Sequence, residues 1–318
     1  MYDKLVIVTR RTPLEDLTLR LNSPAQARFY LEQSGVDFAD YALADATYRS
    51  AVANVLRQLP RAPRRQQIDR DLLPTFQFGE RDLVIVIGQD GLVVNTAKYL
   101  AAQPIIGINP DPDRFDGTLL PCAPDVAGAW VALALRGRAT LADVSMAMAT
   151  LADGQRLYAV NDLFIGQRGH SAARYQLSWG GRQETQISSG LIVSTGAGGT
   201  GWMRSIVAGA TGVAQQLGAV GEPDVDATTL AWDSDRLWCA VREPFVSRRS
   251  SAELIFGQIG PREELVVTSQ MPEGGAIFSD GIESDYLAFS SGAVARIGLA
   301  DRRAKLMVMP EHSAMHRQ

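Results

Sequence analysis

The sequence predicts an α/β domain with a parallel sheet, followed by an antiparallel, β-sandwich-like domain. Leu83–Ile87 is an unbroken apolar run ending at Gly88, as expected of a strand buried on both faces. Ile105–Ile108 is a second such run, and the helical stretch from Asp90 between them makes a βαβ unit. Beyond Pro121, short alternating runs separated by turns such as Asp153-Gly154 and Gly180-Gly181 take over, the mark of antiparallel β structure. The expected domains are therefore 1–121 and 122–318.

The bulk numbers agree with this class. The chain has 318 residues, enough for two domains, with 46% hydrophobic and 21% charged residues. A formal net charge of -4 argues against a nucleic-acid partner. Arg61, Arg64, Arg65 and Arg70 form a local basic run that reads as a solvated, mobile loop. Cys122 and Cys239 have no metal-site spacing and read as packed thiols. His170, His312 and His316 are scattered, so no metal ligands are expected from the chain. No stretch has the layout of a signal peptide or the length of a membrane span, so the expectation is a cytoplasmic protein without a membrane partner.

Taken in order, Lys4–Thr9 reads as the first strand and the residues after it as a mixed turn. Pro24–Gln33 reads as a helix capped by Ser23, with Ala27, Phe29 and Leu31 for packing. Phe38–Leu59 carries Tyr41, Ala44, Tyr48, Val52, Val55 and Leu59 at helical intervals. In the second half the expected strands are Val144–Leu151, Leu157–Ile165, Arg174–Trp179, Gln183–Ile187, Leu191–Thr195, Leu237–Val241, Ala252–Ile255, Glu264–Thr268, Ala276–Ser279, Ala293–Ile297 and Lys305–Val308. One helix, Trp202 to about Gln216, interrupts them.

Three stretches carry chemistry. Asp90 follows Gly88 at the carboxyl end of a predicted parallel strand, where open α/β sheets bind ligands; alternatively it only caps the next helix. Asn161-Asp162 places a short amide and a short acid within an apolar strand, which implies a functional site, a bulge or a buried polar pair. Gly190–Trp202 leads from a strand through Gly196, Gly198, Gly199 and Gly201 into a helix. Its spacing matches a dinucleotide fingerprint, but the antiparallel surroundings do not, and Glu222, Asp224 and Asp226 lie in a loop rather than ending a strand. The turn suits either an anion at a helix start, with hydroxyls from Ser194, Thr195 and Thr200, or a tightly packed corner.

In order and spacing these stretches resemble the NAD kinase family. Gly88-Gln89-Asp90-Gly91-Leu92 resembles its Gly-Gly-Asp-Gly-Thr motif, Asn161-Asp162 its Asn-Glu pair, and Gly190–Trp202 its long Gly-rich motif. Ile106–Pro121, Val160–Gly166, Ser188–Leu191 and Arg242-Glu243-Pro244 look like the mitochondrial-type branch and its bacterial relatives. The resemblance implies transfer of the γ-phosphoryl group of ATP, with Mg²⁺, to the 2′-hydroxyl of the adenosine ribose of NAD, giving NADP. It implies Asp90 as general base and Gly88 and Gly91 as residues keeping the phosphates clear. Asn161 and Asp162 would hold the dinucleotide; Ser189, Thr195, Gly196, Gly198, Thr200, Gly201 and Trp202 would lie against it. It also implies a homodimer or larger assembly.

The chain departs from the family pattern in places. Gln89 stands for a glycine, Leu92 for a threonine, Asp162 for a glutamate, and Ser189 where many bacterial members have an aspartate. The lysines are Lys4, Lys98 and Lys305, and none sits in a Gly-rich loop, so no P-loop is present. Two other readings remain: an NAD-binding protein with little turnover, favoured by Gln89 and Leu92, and a kinase for a lipid or sugar hydroxyl.

Overall fold

The computed structural model describes residues 2–218 and 229–309. Glu222, Asp224, Asp226, His312 and His316 lie outside these described residues. Two compact units appear. One runs to Leu141 and regains the chain from Lys305; the other spans Ala142–Ala304. The sequence expectation divided the chain at 121, where the texture changes.

The first unit begins with β1 (Lys4–Thr9) and three helices, α1 (Pro13–Leu21), α2 (Pro24–Gln33) and α3 (Phe38–Gln58). It continues with β2 (Arg64–Asp69), β3 (Asp82–Ile87), α4 (Asp90–Ala97), β4 (Pro104–Ile108) and α5 (Ala127–Leu135). The strands pair in parallel in the order β2-β1-β3-β4. Every residue of β3 and β4 is buried, which explains their unbroken apolar sequence. Leu5, Ile7, Ile85, Ile87, Ile106 and Ile108 pack against Tyr48 and Val55 of α3 and Trp130 and Val131 of α5.

Three local expectations are corrected here. The mixed turn after β1 is helix α1, closed by a capping box in which Thr12 accepts from Glu15 N–H and the Glu15 carboxylate accepts from Thr12 N–H. The basic run is not a loop: Arg64–Asp69 pairs with β1 at the sheet edge. An edge strand exposed on both faces shows no hydrophobic alternation, so its sequence resembles a loop. Phe29 does not pack; it is 65% exposed, while Ala27 and Leu31 are buried.

The second unit comprises β5 (Thr140–Leu151), β6 (Arg156–Ala159), β7 (Asp162–Gln167), β8 (Ala173–Trp179), β9 (Arg182–Ser188), β10 (Leu191–Ser194), α6 (Trp202–Gln216), β11 (Leu237–Val241), β12 (Phe256–Ile259), β13 (Leu265–Ser269), β14 (Gly275–Ser279), β15 (Ile282–Ala288) and β16 (Val294–Val308). One antiparallel sheet has the order β12-β11-β10-β7-β14-β15, and β16, β13, β8 and β9 pair antiparallel in another. Leu163, Ile165, Leu191, Val193 and Ile277 from the first sheet meet Tyr175, Leu177, Val267 and Ile297 from the second in one core. The alternate residues Phe164 and Ile192 point to the outer face, where Met203 of α6 covers them.

Leu157–Ile165 is two strands rather than one, broken at Val160-Asn161. Ala252–Ile255 is not a strand; the pairing falls on Phe256–Ile259. Ala293–Ile297 and Lys305–Val308 belong to one long β16. Its end returns to the first unit, where Lys305 and Leu306 pair in parallel with Pro104 and Ile105. β15 follows a polar run and was not expected. Among the described residues, no helix is long and apolar enough to cross a membrane.

Candidate functional site

One half of the candidate residues lies where β3 ends. Tyr48 donates to the Ile87 carbonyl at 3.0 Å, and Gly88 N–H donates to Ile108 O at 3.2 Å, so the strand end is pinned on two sides. Gln89 has an extended backbone and makes no capping hydrogen bond with its side chain. Asp90 is the first helical residue, not the cap. Its carboxylate leaves the helix and accepts from Leu119 N–H at 2.8 Å. Burial raises its pKa above the usual carboxylate range; the Leu119 and Thr118 N–H groups oppose this, and Asp116 adds to it.

Those N–H groups are delivered by a loop folded on Asn109, which sequence reading included only as part of a longer segment. Asn109 is buried; it donates from Nδ2 to Phe115 O at 2.7 Å and accepts at Oδ1 from Asp111 N–H at 3.1 Å. Gly107 lets the loop close: a Cβ there would lie 2.2 Å from Leu119 O. A Cβ on Gly88 would stand 2.8 Å from the Leu92 Cδ2, so Leu92 would have to shift to admit one. Leu92 itself is buried in the helix–sheet interface. Gly91 is exposed and faces open space.

The other candidate residues, in the second unit, gather around the break between β6 and β7. Thr195 N–H donates to Asn161 O at 3.0 Å, and the Thr195 hydroxyl donates to Val160 O. The same hydroxyl oxygen accepts from Gly198 N–H at 3.2 Å. The Gly-rich stretch is a short 3-10 turn, Ala197–Thr200, followed by α6. Its glycines are set by the chain's own packing: a Cβ on Gly196 would lie 2.0 Å from Ala231 O, and one on Gly198 2.3 Å from Asn161 O. Thr200 and Gly201 are exposed at the turn's surface.

Asn161 Oδ1 and Asp162 Oδ1 are sealed from solvent without a hydrogen-bond partner. Such atoms are costly unless a ligand completes them. Burial pushes the Asp162 carboxyl up to about 7; a hydrogen bond from Ser194 opposes the shift and Asp280 reinforces it. Asp280, in the β14–β15 turn, was not singled out in the sequence. Its Asp-Gly turn chemistry was legible, but its contact across 118 residues with Asp162 N–H was not.

Beside this region lies a cleft of about 330 Å³ lined by Phe164, Arg168, His170, Ser189, Trp202 and Arg242, among others. Trp202 stacks on Phe164 at 5.9 Å and Phe164 on Phe278 at 4.6 Å, while the Arg242 guanidinium sits 5.2 Å over Trp202. Ser189 is exposed at the cleft, its N–H bonded to Arg242 O at 2.9 Å. Cys122 and Cys239 are buried outside either half, their thiols pushed up to about 12 by burial. The described residues hold no cluster of three or more His, Cys, Asp or Glu suited to a metal ion.

The structure thus joins Asn161, Asp162, Thr195 and Gly198 in one hydrogen-bonded unit and sets Ser189 with Trp202 at a cleft. Gly88, Gln89, Asp90, Gly91 and Leu92 form a separate turn in the other unit.

The fold is similar to that of solved NAD and NADH kinases. The chain superimposes on the yeast NADH kinase complexed with NADH with a TM-score of 0.60 at 12% identity, covering 99% of this chain and 86% of that one. It superimposes on an NAD kinase from Archaeoglobus fulgidus in complex with ATP with a TM-score of 0.57 at 14% identity, covering 98% and 96%. No family model and no curated protein sequence matches the chain.

Proposed function

We infer that the protein is an NAD kinase, transferring the γ-phosphoryl group of ATP to the 2′-hydroxyl of the adenosine ribose of NAD. The observation that carries this is Asp90: a carboxylate at the end of a parallel strand, held by Leu119 N–H, with burial raising its basicity. A ribose hydroxyl attacks phosphorus well only as its proton leaves, and a carboxylate of raised pKa is a better acceptor for it. The likeness in fold to the NADH-bound and ATP-bound kinases supports the same reading.

In this reading Asn161 and Asp162 use their unpartnered oxygens to accept from hydroxyl or amino groups of the dinucleotide. Gly88, Gly91, Gln89 and Leu92 lie where the donor phosphates approach. Thr200, Gly201, Ser189 and Trp202 line the acceptor, and Thr195, Gly196 and Gly198 shape the turn behind them. A Mg²⁺ carried on the donor phosphates would supply charge neutralisation there. The assembly is a homodimer or larger, of the mitochondrial-type branch, working in the cytoplasm.

The test is NADP formation by purified protein from NAD, ATP and Mg²⁺, with Asp90→Asn as control. Product that survives in the control removes Asp90 as base. Leu92 gives the second reading its specific support. Its side chain is packed on Gly88, so no hydroxyl is offered to phosphate at that position. A protein that binds NAD calorimetrically but forms no NADP with common donors is the binding protein of that reading. A gain of turnover in Gln89→Gly would then locate the defect. Turnover of lipid or sugar hydroxyls in place of NAD would select the third alternative.

A further inference from the structure

Val160, Asn161 and Asp162 sit at a strand break, where backbone groups usually lose their partners. Here all six are satisfied. The N–H groups of Val160, Asn161 and Asp162 donate to one carboxylate, that of Asp280, at 3.1, 2.7 and 3.2 Å. The carbonyls of Val160 and Asn161 accept from the hydroxyl and N–H of Thr195, and the carbonyl of Asp162 accepts from Asp280 N–H at 2.9 Å. Only side-chain atoms, Asn161 Oδ1 and Asp162 Oδ1, are left without partners.

Asp280 is held for this task by its own backbone. It occupies the left-handed region at φ 54°, followed by Gly281 at φ 72°. Both central residues of the β14–β15 hairpin therefore have positive φ, with Ser279 paired to Ile282 across a two-residue turn. Aspartate tolerates that conformation better than most residues and has a side chain short enough to reach the neighbouring break.

We propose that Asp280 is a positioning residue that fixes the Val160–Asp162 backbone so that the Asn161 and Asp162 side chains keep their unpartnered oxygens for the dinucleotide. The inference rests on the NAD kinase reading and adds a residue to it. Preorganisation of this kind acts on binding, because the cost of ordering the segment is met before the ligand arrives.

The experiment compares Asp280→Asn, Asn161→Ala and the double variant by NAD calorimetry and steady-state kinetics. In Asp280→Asn the amide oxygen still accepts from Asn161 and Asp162 N–H, while Val160 N–H faces a donor. The expected result is a rise of about tenfold in the NAD Kd and KM, larger than the change in kcat or in KM for ATP. The double variant is expected to bind NAD less weakly than the two single losses combined, since part of the Asp280 effect passes through Asn161. Equal losses in KM for both substrates, or additive effects in the double variant, overturn the proposal. If Asp280→Asn does not fold, Asp280→Glu is measured against the same criteria. Wild-type protein that binds no NAD overturns the kinase reading and this inference with it. Wild-type protein that binds NAD with Asp280→Asn unchanged overturns this inference alone.

Discussion

At the end of β3, Gly91 is exposed, and a methyl group on it would meet nothing within 4 Å. At the end of β10, a methyl group on Gly196 or Gly198 would lie 2.0 or 2.3 Å from a backbone carbonyl. Both turns are strand-to-helix corners rich in glycine, and in the first Gly91 leaves space at the surface for something outside the chain. In the second, the close approach is taken up by the protein itself, and the functional groups are the Asn161 and Asp162 side chains that this packing supports. A glycine-rich sequence is thus compatible with a ligand cradle and with an internal joint. What distinguishes them is where the missing Cβ would point.

The comparison predicts opposite responses to substitution. Asp90→Asn should cut turnover by about 10²–10⁴-fold, the usual contribution of a general base, with NAD affinity nearly unchanged. Initial rates and calorimetry check this together; loss of NAD binding would move Asp90 from catalysis to recognition. Gly198→Ala should destabilise the second unit by about 3 kcal/mol, because the clash is with backbone rather than a flexible side chain. Denaturant midpoints measure it, and an unchanged midpoint would break the contrast between the turns.

Asp162 gives a smaller, pH-dependent effect. Its carboxyl titrates near 7 in the folded chain against 3.8 for the ordinary group, so the folded state holds the proton longer. That contribution to stability is full below about pH 4, declines as pH rises towards 7 and is gone above it. Asp162→Asn should therefore gain stability relative to wild type as pH rises from 5 to 8, by roughly 2 kcal/mol. A constant difference between the two melting curves would show that Asp162 ionises freely. The smallest effect is expected at the open turn: Gly91→Ala should change stability by less than about 1 kcal/mol while lowering kcat/KM for ATP. Full activity in that variant would mean the donor phosphates do not approach Gly91.

Much of the fold was legible because it depends on local burial. Leu5–Val8, Leu83–Ile87 and Ile105–Ile108 are unbroken apolar runs, and the alternation in β8 matches a sheet with one face in the core. The polar edge strand β2 and the polar hairpin strand β15 were missed because their sequence does not record burial; α1 carries both a capping box at Thr12 and a short apolar stripe of Leu14, Leu17 and Leu21. The candidate site was legible as Asp90, Asn161-Asp162 and the Gly-rich turn, because short polar residues and glycines there conflict with strand propensity. Asn109 and Asp280 were not, since each acts on backbone groups far away or around a loop.

Sequence alone determined that the chain has a parallel α/β part and an antiparallel β part, and that a carboxylate ends a buried strand. Periodicity and turn chemistry are properties of neighbouring residues, so they survive without the fold. Tertiary structure decided which N–H groups hold Asp90 and which carboxylate pins the Asn161-Asp162 break. It also decided that Gly196 and Gly198 serve packing. Those facts depend on long-range pairing, where a hydrogen bond or a 2 Å clash is defined only once distant segments meet.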